Sequence, residues 1–102
     1  MDKETILARL KELKPQYEKE GFIIKGIFGS YARDEADESS DIDIAIELER
    51  GYIDDNDVWL YFKTLDAIKR DIWATLGRKS DIFDLNSNSQ IVENIKKELV
   101  YV

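Results

Sequence analysis

Two aspartates one residue apart, Asp41 and Asp43, follow the pair Gly29 and Ser30 after a spacer of ten residues. The run GSYARDEADESSDID closes an apolar stretch, Phe22 to Phe28, in a Gly-Ser turn and opens a second stretch rich in isoleucine. Side chains alternate faces along a strand. Asp41 and Asp43 therefore point the same way, about 7 Å apart along the backbone, while Ile42, Ile44 and Ile46 point the other way. Carboxylates held this close repel unless a cation lies between them, and hard oxygen ligands suit Mg²⁺, which takes one or two carboxylates together with substrate phosphates. Two such ions about 4 Å apart activate an attacking oxygen and steady a leaving one. Gly29 lets backbone amides approach phosphate oxygens, the helix-like YARDEA segment directs its N-terminus at the same place, and Ser30 adds a hydroxyl donor. A Gly-Ser pair alone is usually a turn, and D-x-D alone is often a solvated edge. Their conjunction at this spacing points to handling of a metal-bound triphosphate.

The elements that must position these residues are legible in the periodicity. Glu4 to Lys19 is predicted as an amphipathic helix with Ile6, Leu7, Leu10 and Leu13 on one side, a kink or fresh turn at Pro15, and Tyr17 continuing the apolar face. Gly21 ends it, Phe22 to Phe28 forms a strand, and a short helix is expected from Tyr31 to Ala36. Asp37 to Ser40 is a loop, and Glu35, Asp37 and Glu38 are expected in a mobile acidic segment. The D-x-D strand runs to Leu48. After a polar connection, Val58 to Leu76 reads as a helix with Val58, Phe62, Leu65, Ile72 and Leu76 on its apolar face, capped by Asp55, Asn56 or Asp57 and stopped by Gly77. Trp59, Tyr61 and Trp73 widen that surface, and burial of both tryptophans within the chain is favoured over contact with a partner. A third strand, Ser80 to Leu85, turn residues Asn86 to Ser89 and a final helix, Gln90 to Leu99, complete the reading.

Bulk properties narrow the function. At 102 residues the chain, 1–102, is expected to be one domain, and 43% hydrophobic with 36% charged residues describes a folded chain with a real core. No apolar run approaches a bilayer span and MDKETILARL lacks a secretory pattern, so a cytoplasmic location is expected. There is no cysteine and no histidine. Any metal must be held mainly by oxygen, and any general base must be a carboxylate, a water or a group on a partner. A net charge of -7 argues against autonomous nucleic-acid binding and fits a surface that meets a basic partner. Arg33, Arg78 and Lys79 are possible phosphate neighbours, although lone cations are more often solvated surface.

At these residues the chain resembles the minimal nucleotidyltransferases, small members of the DNA polymerase β superfamily whose signature is G-S, a spacer of about ten, then D-x-D. FGSYAR, SSDIDIAIEL, LGRKSDIFDLN and IVENIKKELVYV all resemble their family counterparts, so the likeness covers nearly the whole chain. One departure is Asp34, where members often carry glycine. The resemblance implies an α+β fold, a polymerase β-like mixed sheet of three to four strands packed on helices. It also implies a third acid from a neighbouring strand. Asp81 and Asp84 are the candidates, and on a regular strand they lie on opposite faces. Asp81 is favoured because Ile82 then joins Ile42 and Ile44 in the core and because family spacing after GRK agrees; Asp84 is the alternative, or else caps the turn by local hydrogen bonds.

What the resemblance implies for activity is Mg²⁺-dependent transfer of a nucleoside monophosphate, AMP from ATP, to an acceptor hydroxyl. Asp41, Asp43 and Asp81 would serve as metal ligands and catalytic acids, and Gly29, Ser30 and Arg33 as nucleotide contacts. The partner is commonly a HEPN-domain protein encoded nearby, and in some pairs the small enzyme is the antitoxin that modifies a tyrosine of the toxin. A homo- or hetero-oligomer fits such pairing. The alternative is a non-catalytic module that neutralises a HEPN partner by occlusion; a free-standing enzyme acting on a small molecule is a weaker third reading.

Overall fold

The computed structural model describes residues 1–52, 58–86 and 90–102; the expected caps Asp55, Asn56 and Asp57 and the turn positions 87–89 lie outside the described residues. Helix α1, Lys3–Glu18, begins where Asp2 accepts hydrogen bonds from the Thr5 amide at 3.0 Å and the Thr5 hydroxyl at 2.8 Å. That cap satisfies one of the amides a helix start leaves without a partner. The helix continues through Pro15. Pro15 and Lys11 both face solvent, so water can take the carbonyl that the missing N–H leaves behind, and no second helix start is needed. Ile6, Leu10, Leu13 and Tyr17 form the buried stripe.

Strand β1, Phe22–Phe28, pairs antiparallel with β2, Ile42–Leu48, and β2 pairs parallel with β3, Ser80–Asp84. The parallel pair requires a crossover, which is α3, Val58–Leu76. Helix α4, Gln90–Glu98, leads into β4, Val100–Tyr101, an element the sequence reading did not contain. The sheet order is β3-β2-β1-β4.

Alternation along β2 divides the molecule. Ile42, Ile44 and Ile46 are fully buried and join Phe22, Ile24 and Ile27 under α1 and α3, with Ile82 packed against them. Each such side chain contributes about 1.5–3 kcal/mol of burial. On the opposite face, Ala45 packs with Leu85, Val92 and Ile95 beneath α4, and Phe28 and Phe83 join them. This second cluster covers only part of the face, and Asp43 lies on the remainder. Arg9 bridges α1 to α3 through paired hydrogen bonds to Asp71 at 2.9 and 2.6 Å.

The buried face of α3 agrees with the expected one at Leu65, Ile72 and Leu76 and departs from it at Val58 and Phe62. Thr64, Ile68 and Ile72 form its centre, with Tyr61, Leu65 and Leu76 beside them, whereas Val58 and Phe62 are more than half exposed. Trp59 and Trp73 are 68% and 58% exposed, contrary to the expected burial. The stripe follows i, i+4, i+8 from Thr64, and the hydroxyl of this buried residue donates to the Leu60 carbonyl at 2.9 Å. A polar residue concealed the centre of the stripe.

Candidate active site

Register determines which residues meet. Phe28 pairs with Asp43 across β1 and β2, and Asp43 pairs with Asp81 across β2 and β3. Gly29 leaves the end of β1 at φ +76°, a conformation glycine adopts without strain, and a Cβ built on it would overlap the Asp43 Oδ2 and lie 3.0 Å from its Cγ. Gly29, just past the end of β1, Asp43 on β2 and Asp81 on β3 thus lie at one end of the sheet. Asp41 stands just before β2, and the next amide, that of Ile42, donates to the Lys79 carbonyl at 2.9 Å, so Asp41 lies on the β3 side of the group.

The electrostatics follow from this crowding. Burial pushes the Asp43 carboxyl above its ordinary value, Asp81 and Asp41 push it further, and Arg33 opposes them. Like charges this close favour a proton or a cation. Among the described residues no three carboxylates close into a ready-made ion cage. An oxygen site for Mg²⁺ is normally completed by substrate phosphates, and the donor set here, hard carboxylates beside a backbone cradle that a Cβ would fill, fits that mode.

Helix α2, Gly29–Ala32, starts two residues earlier than expected and ends by Arg33, so Gly29 and Ser30 form its first turn. Asp34 follows at φ +59°, in the left-handed region, which explains why a glycine suits this position; Asp tolerates it better than most residues. The acidic loop carries local hydrogen bonds at Asp37. Asp37 accepts hydrogen bonds from the Ser39 amide and hydroxyl at 2.9 and 2.7 Å, and the Ser40 hydroxyl accepts from the Asp37 amide at 3.0 Å.

Two features were not anticipated. Glu98, at the end of α4, accepts a 3.0 Å hydrogen bond from the Gly29 amide and two from the Arg33 Nη1, at 3.3 and 3.1 Å. A carboxylate therefore sits on the amide and the guanidinium that an anionic phosphate would seek. Nothing in the local sequence marks Glu98, because only the fold brings position 98 to position 29. The second feature is a cavity of about 370 Å³ lined by Asp41, Lys69, Trp73, Lys79, Ser80 and Asp81. Asp84, by contrast, is three residues beyond Asp81 on β3, and its Oδ1 accepts from the Asn86 amide at 2.8 Å, the local turn bond expected of it.

The comparisons with known proteins agree with this geometry. Residues 9–102 match the family described as polymerase beta, nucleotidyltransferase. The chain belongs to that family. A protein adenylyltransferase of Thermococcus cleftensis, MntA, is 35% identical over 101 residues, covering 97% of this chain and 91% of that one. A candidate protein adenylyltransferase of Methanocaldococcus jannaschii is 33% identical over 102 residues, covering 98% and 93%. The solved structure of a candidate minimal nucleotidyltransferase superposes with a TM-score of 0.73 at 28% identity, covering 100% of this chain and 97% of that one. The four-stranded mixed sheet with its helices is the minimal nucleotidyltransferase fold, and the nucleotidyltransferase reading of the chain as an enzyme stands on the family, the relatives and the fold together.

Proposed function

We propose that this nucleotidyltransferase transfers AMP from ATP to a hydroxyl of a protein, a tyrosine of a HEPN-domain partner, and acts in the cytoplasm as the antitoxin of such a pair. The observation that carries the reading is the Asp43–Asp81 register pair beside the Cβ-free wall of Gly29, in a chain similar over almost its full length to protein adenylyltransferases. Asp41, Asp43 and Asp81 would hold Mg²⁺, which supplies neutralisation of triphosphate charge when bound. The Gly29 amide, the Ser30 hydroxyl and the Arg33 guanidinium hold phosphate oxygens once Glu98 yields them. Asp81 accepts the proton of the attacking hydroxyl. Catalysis then rests on alignment and on charge already in place, as in other phosphoryl transfers.

The test is transfer of label from α-labelled ATP and Mg²⁺ to a HEPN protein encoded nearby. Labelling of a tyrosine, lost in the Asp41→Asn, Asp43→Asn double variant, is the expected result; no transfer under any acceptor or metal condition rejects the enzymatic claim. Occlusion is the second reading, supported by the exposed Val58, Trp59 and Phe62 on α3. A double variant that still silences the partner in cells would show that occlusion suffices.

A further inference from the structure

We propose that the C-terminal segment is an autoinhibitory strap, in which Glu98 holds the Gly29 amide and the Arg33 guanidinium for as long as β4 is docked on β1. The inference rests on the phosphate role proposed for Gly29 and Arg33. It adds what regulates them: docking of β4 and entry of nucleotide phosphates oppose each other.

The contact supplies the first argument. A carboxylate presents anionic oxygens, as a phosphate does, and hydrogen bonds to a charged acceptor are stronger than neutral ones. Glu98 uses both oxygens. Its Oε1 accepts from the Gly29 amide at 3.0 Å and from the Arg33 Nη1 at 3.3 Å, and its Oε2 accepts from the same Nη1 at 3.1 Å. A phosphate oxygen reaches those donors only after the carboxylate leaves. The Glu98 side chain is 34% exposed, so it can turn into water without stranding a buried charge. Arg33 keeps a partner when Glu98 goes, because Glu35 accepts from its Nε at 3.2 Å. The guanidinium is thereby held at the site while one anion replaces another.

The attachment supplies the second. Glu98 ends α4, and only Leu99 separates it from β4. β4 is a two-residue strand at the sheet edge, docked opposite Gly26 and Ile27, and beyond it the Val102 amide donates to the Lys25 carbonyl at 2.9 Å. So short an edge opens at a lower free energy than the core does. The body of α4 is held separately, since Val92 and Ile95 pack with Ala45 and Leu85. Release is therefore confined to the last turn of α4 and to β4, and phosphates bind the released form. Apparent nucleotide affinity is lowered by the fraction released, and bound nucleotide must loosen β4 by the same factor by which docking weakens the nucleotide.

The experiment uses the full chain with Mg²⁺ and a non-hydrolysable ATP analogue, and compares wild type, Glu98→Gln, Gly26→Ala and the double variant. Equilibrium dialysis reads affinity, and hydrogen exchange at the Val102 amide reads docking of β4. Saturating analogue should speed Val102 exchange about five- to tenfold in wild type, and less than about twofold in Glu98→Gln, where no charge competes. Gly26→Ala should tighten binding about as much as Glu98→Gln does, and the double variant should gain less than about twofold over either, because both changes lift the same restraint. The exchange comparison between wild type and Glu98→Gln leaves β1 and β4 unaltered, so it decides the matter even where Gly26→Ala fails to fold. Val102 exchange that slows or stays constant when the analogue binds wild type overturns the strap. So does weaker binding in Glu98→Gln, which would make Glu98 a positioning residue for Arg33, and so do additive gains in the double variant. In each of these cases the analogue still binds and the phosphate reading stands. Absence of binding in every variant rejects both.

Discussion

Three residues carry most of the consequences at the finest scale. At Gly29 a methyl group meets both the left-handed backbone and the Asp43 carboxylate. Gly29→Ala should therefore cost about 1–2 kcal/mol from backbone conformation alone in urea unfolding. It should also lower label transfer ~100-fold through misplacement of Asp43. Glu98 occupies the same amide and Arg33. Glu98→Gln keeps the size and removes the charge, so nucleotide affinity in equilibrium dialysis should rise about five- to tenfold, in the range of a charge-assisted hydrogen bond weakened to a neutral one; unchanged affinity would show that the carboxylate is no competitor. Asp43 sets a pH dependence. Its folded carboxyl holds a proton more firmly than the ordinary value of 3.8 describes, first because it is buried and then because Asp81 and Asp41 face it. The stability linked to that proton is fully present below the unfolded value and is lost as pH rises through the raised folded value. With a chelator present, the wild-type urea midpoint should fall from about pH 4 toward neutrality, and Asp43→Asn should flatten the fall and be the more stable protein at pH 7.

Among the elements, α3 separates patterning from packing. Its end at Leu76 and the inward packing of Leu65, Ile72 and Leu76 match the expectation, but the centre of its buried face lies at Thr64 and Ile68, while Val58, Trp59, Phe62 and Trp73 face outward. Ile68→Ala should cost about 2–5 kcal/mol in chemical unfolding, as a fully buried side chain leaves a cavity. Trp59→Ala should stay within about 0.5 kcal/mol of wild type although it removes a far larger side chain. Equal losses at the two positions would mean that the helix is rotated from the orientation described. The β2 strand shows the opposite case, since strict alternation of isoleucine and polar residues leaves only one way to turn it.

For the whole molecule, the C-terminus is the part that ties remote regions together. β4 pairs with β1 at Gly26 and Ile27, and a Cβ on Gly26 would overlap the Val100 carbonyl oxygen. Beyond it the Val102 amide donates to the Lys25 carbonyl at 2.9 Å, and Lys14 reaches the Val102 carbonyl at 3.1 Å. The strand also anchors α4, which delivers Glu98 to the site. Gly26→Ala should remove hydrogen-exchange protection at the Val102 amide and cost about 1–3 kcal/mol, the usual range for forcing atoms into packed space. Retained protection would show that β1 shifts to accommodate the methyl group.

Strand alternation and the Gly29-to-Asp43 spacing are local properties, so the chain by itself determined β1, β2 and the direction of Asp43. The same holds for the buried stripe of α1, Ile6, Leu10, Leu13 and Tyr17, whose spacing is local. Gly26 within β1 did carry a signal, because glycine inside a strand often marks close backbone approach, but what approaches is 74 residues away in the chain. Tertiary structure alone decided that Glu98 meets Gly29, that β4 closes the sheet edge, and that Lys69 and Trp73 face Asp81 across a cavity. These depend on how helices rotate and where distant segments dock, and those choices are made by packing energies summed over the whole core.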